Sequence, residues 1–311
     1  MSFSKETKTE ICKMQPQNDA QRKARLYGML LFAREFSVRS ILLNTESLSV
    51  AHCFSNLLSS YAGVMVDTRV NMTHRGGEGK MYSVSVPNPS DCENIFEQYG
   101  HNPKEISLRI NRANIEDDDC VPYFLSGVFL ACGSVSNPQK DYHFEMVVSY
   151  RNLAADLCCL MGEISEIHTQ AHTTNRKGSF VVYVKESDTI EDLLTYIGAP
   201  MSALSVMQSQ MVKSVRNTVN RKINSETANS NKTAAAAARQ LAAIELISRR
   251  CGLASLPDDL REIAQMRLDN PEFNLRELGN SLTPPLSRSG VNHRIQRLME
   301  IAEELKGKEE T

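Results

Sequence analysis

The chain has 311 residues, 41% of them hydrophobic, which is enough for about two domains of the usual ~100–200 residues. With 35 basic and 37 acidic side chains, the chain has a formal net charge of -2. This balance excludes a polycationic protein that covers nucleic acid and a strongly acidic tail. No segment approaches the roughly 18 consecutive apolar residues of a membrane helix, and the first twenty residues lack the apolar run of a signal peptide. The composition therefore predicts a cytoplasmic protein that does not bind membranes.

The sequence lacks the common motifs of metal and nucleotide sites. Eight cysteines are scattered without a CxxC pair, which favours reduced thiols, and the motifs HExxH, GxGxxG and GxxxxGK[ST] are absent. His168 and His172 lie on a predicted strand, where residues four apart are separated by about 13 Å, too far for one metal ion. We therefore predict no metal and no cofactor.

Basic side chains concentrate toward the C-terminal end. Residues 201–311 carry 16 basic and 13 acidic groups, whereas residues 1–200 carry 19 and 24. Between Lys213 and Arg250, eight Lys or Arg residues are opposed by only two glutamates. This asymmetry predicts that the C-terminal part faces nucleic acid.

Two apolar helices with an internal glycine are predicted about 100 residues apart. Residues 1–21 are interpreted as an N-terminal extension. Residues 22–35 have helical length and an apolar stripe, with Gly28 placed where a second helix can approach closely. Residues 121–133 repeat this pattern with Gly127 inside an apolar run.

Each of these helices is followed by alternating strand-like and helix-like segments. The strand-like runs begin at Ile41, Lys80, Tyr142 and Ser179. The helix-like runs begin at Cys53, Cys92, Leu153 and Ile190. Residues 22–212 are therefore predicted to form an α+β domain of two repeats, each with the order helix, hairpin, helix, hairpin, helix.

Residues 213–233 are polar and rich in asparagine, with too few apolar side chains to bury a face, and we predict a basic linker or a segment that a partner orders. Its Lys, Arg and Asn side chains suit backbone phosphates better than bases. The candidate phosphate contacts are Lys213, Arg216, Asn220, Arg221, Asn224, Asn229 and Lys232. The alternative is a flexible tether whose charges only keep it soluble.

Residues 234–305 are predicted to form an all-α domain. A run of alanines begins its first helix, and Asn274 is the predicted N-cap of a short helix that precedes a proline-containing turn at 282–286. The last helix places Val291, Ile295 and Leu298 on one apolar face. This order predicts a helix-turn-helix.

The last helix carries the side chains that a DNA-reading helix needs. Such a helix uses bidentate donors for guanine, amides for adenine, and small hydroxyls near its N-terminus for phosphate. Residues 287–296 contain no acidic side chain. The candidate DNA-binding residues are Ser287, Arg288, Ser289, Asn292, His293, Arg294 and Arg297. A solvated basic helix within a bundle is the alternative.

The two glycine-containing helices resemble a known motif. LYGMLLFAR at 26–34 and LSGVFLACG at 125–133 are similar to degenerate copies of the dodecapeptide helix of LAGLIDADG homing endonucleases. In that family the two helices pack through their glycines, and a carboxylate near each helix end holds the catalytic divalent metal. The corresponding positions here are Ala33 and Cys132, so the resemblance implies a nuclease-like scaffold without its hard oxygen ligands.

A degenerate endonuclease domain followed by a helix-turn-helix resembles the WhiA family of bacterial sporulation and cell-division regulators. The matching stretches are MSFSKETKTEIC at the N-terminus, GVFLACGSVSNP at 127–138, the pattern Asn220-Arg221, Asn224, Ala228-Asn229 and Lys232, and LTPPLSRSGVNHRIQRL at 282–298.

This resemblance implies a non-enzymatic, sequence-specific transcription regulator with a helix-turn-helix similar to sigma-factor region 4. The implied partners are double-stranded promoter DNA and the sigma subunit of RNA polymerase. The implied processes are sporulation, cell division and chromosome segregation, with the protein associated with the nucleoid.

Two other functions stay open at this point. One is a divergent LAGLIDADG endonuclease that uses the acids at 116–119, and the other is an interaction module that docks on polymerase without binding free DNA. The sequence favours a monomer, because the two repeats already supply pseudo-symmetry and no heptad run indicates a dimerisation coil.

Overall fold

The protein is described by a computed structural model that covers residues 2–73, 79–104, 107–115, 117–167 and 169–307. The chain divides into two compact units, residues 1–214 and residues 215–311. In the described ranges no helix is long and apolar enough to span a membrane.

The N-terminal unit contains two repeats of the same element order, which confirms the predicted α+β class. The first repeat consists of α2 Asp19–Leu31, β1 Glu35–Phe36, β2 Ile41–Thr45, α3 Leu48–Ser60, β3 Asp67–Thr73, β4 Gly79–Ser85 and α4 Pro89–Gln98. The second consists of α5 Val121–Cys132, β5 Gly133–Val135, β6 Phe144–Val148, α6 Arg151–Gly162, β7 His172–Arg176, β8 Ser179–Val184 and α7 Ser187–Tyr196.

Each repeat builds one antiparallel four-stranded sheet. The strand orders are β1-β2-β4-β3 and β5-β6-β8-β7, so the two sheets have equivalent topology. Equivalent central strands pair through buried side chains, Leu43 with Val84 in the first sheet and Met146 with Val182 in the second. Because side chains alternate between the two faces of a strand, this register directs one apolar face of each sheet into the core.

Helices α2 and α5 cross at the centre of this unit through their glycines. A Cβ atom on Gly28 would overlap the Phe124 carbonyl oxygen and lie 3.0 Å from the Val128 nitrogen. A Cβ atom on Gly127 would meet the Arg25 carbonyl oxygen and the Met29 nitrogen in the same way. The two backbones therefore approach at a distance that only glycine allows, as the sequence predicts.

The first residues form a helix that belongs to this unit. Helix α1, Phe3–Lys13, buries Thr7 and Ile11 completely, and Phe3 packs against the core. These three residues are spaced by four, which places them on one helical face. Residues 1–21 thus differ from the predicted extension, because α1 completes the core of the unit.

Helix α8, Pro200–Arg250, includes the whole segment predicted as a linker. Residues 213–233 are helical, which contradicts a flexible linker. The segment contains neither Gly nor Pro, and it lies between a turn that buries Ala203 and Val206 and the alanine run at 234–238. Helix propagation from both ends costs little once a nucleus exists, so the segment needs no buried face of its own.

The C-terminal unit contains the remaining helices. After the end of α8 come α9 Asp258–Asp269, α10 Leu275–Asn280 and α11 Arg288–Gly307. The most buried side chains of their shared core, each at most 1% exposed, are Ile244, Ile247, Ile263, Ala264, Leu278, Val291, Ile295, Leu298 and Ala302.

Candidate nucleic-acid interface

Helix α10 begins at the N-cap that the sequence predicts, Asn274. The Asn274 side-chain oxygen accepts hydrogen bonds from the backbone N–H groups of Arg276 (2.9 Å) and Glu277 (3.1 Å). In return, a Glu277 carboxylate oxygen accepts from the Asn274 N–H at 2.8 Å. This capping box satisfies three donors that would otherwise lack partners at the helix start.

The turn between α10 and α11 is closed by backbone contacts. The Leu286 N–H donates to the Gly279 carbonyl oxygen at 2.9 Å. A Cβ atom on Gly279 would overlap the Leu286 carbonyl oxygen, so the turn folds tightly over this glycine. The hydroxyl of Ser287 accepts from the Gly290 N–H at 3.2 Å and caps the start of α11. These contacts fix where α11 begins relative to α10.

Helix α11 is apolar on one side and free of acidic side chains on the other over its first turns. Val291, Ile295 and Leu298 are buried, which confirms the predicted stripe. Six of the seven candidate DNA-binding residues are exposed, namely Ser287, Arg288, Ser289, Asn292, His293 and Arg297. The arrangement presents hydroxyl, guanidinium, amide and imidazole groups to solvent along one helix, as a major-groove reader requires.

Two of the candidate arginines on α11 have partners within the unit. Arg294 is half-buried, with its Nε 3.6 Å from a carboxylate oxygen of Asp259 and an Nη group donating to the Asp259 carbonyl oxygen. Arg297 forms an exposed ion pair with Glu300 at 2.9 Å. An exposed pair of this kind is weak and can exchange for a phosphate, whereas Arg294 contributes to the packing of α9 against α11.

Lys213 is engaged in the N-terminal unit. Its ammonium group donates to the Pro138 carbonyl oxygen at 2.7 Å and lies 4.1 Å from the centre of the Tyr142 ring. A lysine with these partners is held against the β5–β6 connection. This placement is at odds with its predicted role as a free phosphate contact.

The other six candidates of this segment, Arg216, Asn220, Arg221, Asn224, Asn229 and Lys232, are exposed on α8. At about 100° per residue they spread over more than half of the helix circumference. A single DNA backbone cannot contact all of them along one straight helix. The helical structure therefore divides them into subsets, with Arg216, Asn220 and Asn224 on one side.

Ala33 and Cys132, which correspond to the metal-binding carboxylates of LAGLIDADG endonucleases, offer no carboxylate. Ala33 follows the end of α2, and Cys132 is the last residue of α5. Burial raises the pKa of the Cys132 thiol to about 12. The ammonium of Lys8 donates to the Leu130 carbonyl oxygen at 3.1 Å, and burial lowers its pKa. A protonated thiol beside an amine is a poor environment for a divalent cation, which prefers charged oxygen ligands.

The acids that could have replaced them lie at the other end of α5. Asp117, Asp119 and Cys120 have ligand atoms within 4.8 Å of one another, just before α5 begins, while Glu116 lies outside the described residues. At 1.5 Å per residue, the twelve residues of α5 put about 18 Å between this cluster and Cys132. The two places cannot share a metal ion.

Only one member of the histidine pair belongs to the part of the chain that the structure describes. His168 lies outside the described residues, and His172 is an exposed residue at the start of β7, beside the ring of Tyr183.

Arg267, which is 2% exposed in α9, is a site residue that was not predicted from the sequence. Its position in the sequence could have indicated burial. Arg267 follows the buried residues Leu260 and Ile263 by seven and four positions, and so it lies on the apolar face of α9. A charged residue at a core position is more informative than one on the surface.

Family models match both parts of the chain. Residues 219–302 match a model described as the WhiA C-terminal HTH domain, and residues 121–216 match one described as the WhiA LAGLIDADG-like domain. The protein therefore combines a LAGLIDADG-like domain with a helix-turn-helix domain.

Full-length relatives define the family more closely. A protein named "Probable cell division protein WhiA" from Clostridium botulinum is 35% identical over 98% of this chain and 99% of its own length. A protein of the same name from Clostridium novyi is 34% identical over the same shares. The crystal structure of full-length DUF199/WhiA from Thermotoga maritima is similar with a TM-score of 0.59, at 26% identity over 98% of this chain and 99% of that one. The chain belongs to the WhiA family.

Proposed function

We propose that this protein is a sequence-specific DNA-binding transcription regulator that acts in cell division and has no nuclease activity. The observation that carries the proposal is the exposed face of α11, where residues 287–296 include no acid and present Arg288, Asn292 and His293. Helix α11 lies in the major groove, and Arg288 and Asn292 hydrogen-bond to base edges there.

The names of the relatives support a role in cell division. We extend the proposal to promoter DNA, with the sigma subunit of RNA polymerase as partner and the nucleoid as location. Sporulation and chromosome segregation are the processes in which the regulated genes act. These assignments follow the family resemblance.

The absence of nuclease activity is proposed from the Ala33 and Cys132 positions, whose side chains offer no hard oxygen ligand. If Mg²⁺-dependent nicking of plasmid DNA occurs and is abolished by Asp117→Asn with Asp119→Asn, the protein is a divergent endonuclease.

The first experiment is a selection from random duplex DNA with the full-length protein, in the presence of Mg²⁺, followed by inspection of the DNA ends. We expect an enriched motif on uncut DNA. Arg288→Ala and Asn292→Ala should each cost about 1–3 kcal/mol at one particular base pair of that motif. Lys306→Ala, which removes an exposed lysine near the far end of α11, is the matched control.

Two results would refute parts of this proposal. If Arg288→Ala and Asn292→Ala bind every duplex like the Lys306→Ala control, α11 does not read DNA. If the selection yields no motif alone but does so with RNA polymerase holoenzyme, the protein recognises promoters only through its partner.

A further inference from the structure

The C-terminal unit contains a cavity of about 410 Å³ next to the start of α11. Elements α8, α9 and α10 line it together with the first residue of α11. Four of its lining residues are cations, namely Lys232, Arg267, Arg276 and Arg288. Within the described part of the chain, no carboxylate lines the cavity.

Arg267 is the buried cation of this cavity. One of its Nη groups donates to the Gln240 side-chain oxygen at 2.8 Å, and the other donates to the Phe273 carbonyl oxygen. Its Nε is buried without a hydrogen-bond partner among the described residues. Both known partners are neutral, and no described carboxylate forms an ion pair with this guanidinium. A buried charge in this state costs free energy unless an anion compensates it.

The other three cations are exposed and also form no ion pair with a described carboxylate. Lys232, Arg276 and Arg288 come from three different helices, and the fold brings them to the same cavity. Like charges gathered in this way repel one another and attract an anion. Arginine side chains suit phosphate in particular, because their planar groups form two parallel hydrogen bonds to its oxygens.

We propose that this cavity binds one phosphate group, and that the group belongs to the backbone of the DNA read by α11. Arg288 links the two sites, since it is the first residue of the reading helix and also lines the cavity. A strand that flanks the groove occupied by α11 therefore passes the cavity. This inference rests on the proposed DNA binding, and it assigns Lys232, Arg267 and Arg276 to positioning rather than to base recognition.

The test compares the full-length wild type with Lys232→Ala/Arg276→Ala and with Arg239→Ala. Arg239 is an exposed arginine of α8 that does not line the cavity, so its removal controls for general loss of charge. Binding to the selected motif and to an unrelated duplex is measured by fluorescence anisotropy over a range of salt concentrations.

We expect the double variant to bind both duplexes about tenfold more weakly, because a phosphate contact carries no sequence information. Its slope of log affinity against log salt should be less steep by about 1, the value for one phosphate contact. If the double variant matches Arg239→Ala in affinity and slope while the wild type binds DNA, the cavity does not hold a DNA phosphate.

A second arm separates DNA from a free phosphate ion as the source. The melting transition of the C-terminal unit within the full-length protein is followed in sodium phosphate and in sodium chloride at matched ionic strength, for the wild type and the double variant. The DNA backbone is supported as the source if the double variant loses DNA affinity and phosphate does not raise the melting temperature of the wild type above its value in chloride.

A different result is that phosphate raises the melting temperature of the wild type but not of the double variant, while the two proteins bind DNA equally well. That result shows that the phosphate group does not come from DNA, and it assigns the cavity to a free phosphorylated ligand. If the wild type and the double variant differ neither in DNA affinity nor in the effect of phosphate on melting temperature, the cavity is not a phosphate site. If the wild type binds no duplex at all, the proposed function fails, and the phosphate arm alone decides whether the cavity is an anion site.

Discussion

The glycine contact between α2 and α5 gives the sharpest stability prediction. In Gly28→Ala the new methyl group meets backbone atoms of Phe124 and Val128, which cannot rotate away as a side-chain end would. The two helices must separate, and overpacking of this kind costs about 1–3 kcal/mol. Alanine also favours the helix over glycine by about 1 kcal/mol. Because the clash involves backbone on a second helix, we expect it to dominate and the variant to be less stable.

The matched control is Gly162→Ala at the end of α6, where an added Cβ meets no atom within 4 Å. We expect that variant to be neutral or slightly more stable. For a unit of this size, 1 kcal/mol shifts the melting temperature by about 2–4 °C, so the two variants should be clearly separated by calorimetry. Hydrogen exchange should locate the loss of protection in the N-terminal unit and leave α9 and α11 unchanged.

The partner position provides an internal check. Gly127→Ala meets the Arg25 carbonyl oxygen and the Met29 nitrogen, so it should cost a similar amount on its own. Once one methyl group has separated the helices, the second meets less resistance, and the double variant should lose less than the sum of the two. The reasoning is refuted if Gly28→Ala is as stable as Gly162→Ala, or if the two central substitutions add fully.

Three further predictions concern separate features. Asn274→Ala removes the cap of α10 and should lower the unfolding free energy of the C-terminal unit by about 0.5–2 kcal/mol in urea, while Asn280→Ala at the exposed end of α10 should change little. Burial alone would raise the pKa of Asp156, but hydrogen bonds from Arg109 and the Ile110 N–H outweigh it and lower that pKa. This stabilisation is present above the pKa of the unfolded chain, which is about 4, and it is lost as the pH falls through the lower pKa of the folded protein. Asp156→Asn should therefore be less stable than the wild type at pH 7 and equally stable in strong acid. Sedimentation should give a monomer at all accessible concentrations, and a concentration-dependent mass would contradict that.

Helices that bury an apolar stripe were predictable from the sequence. The glycine-containing helices α2 and α5 and the stripe on α11 follow from periodicity, because burial restricts which residues are tolerated on one face. Strand β3 was not identified. It pairs with β4 alone at a sheet edge, and its sequence DTRVNMT is largely polar, so burial leaves no alternating pattern to detect.

The missed features of the site have related physical causes. The sequence of residues 213–233 contains no amphipathic pattern that would have predicted a helix, because that part of α8 is exposed almost throughout. Composition located the basic segment but not the partners of its side chains, so Lys213 was assigned to DNA although it contacts Pro138 and Tyr142. The cavity around Arg267 depends on residues from four elements, and no local pattern reports such a meeting.

The position of Lys8 bears on whether a metal site can be built at the end of α5. Substituting Cys132 by aspartate would place a carboxylate at the end of α5, but that carboxylate would face the ammonium group of Lys8, which lies beside Leu130. An internal ion pair would then form in preference to a metal site. A metal site at this place would thus require coordinated change on α1, at the end of α2 and on α5. No single substitution among these supplies the paired carboxylates that a divalent cation needs there.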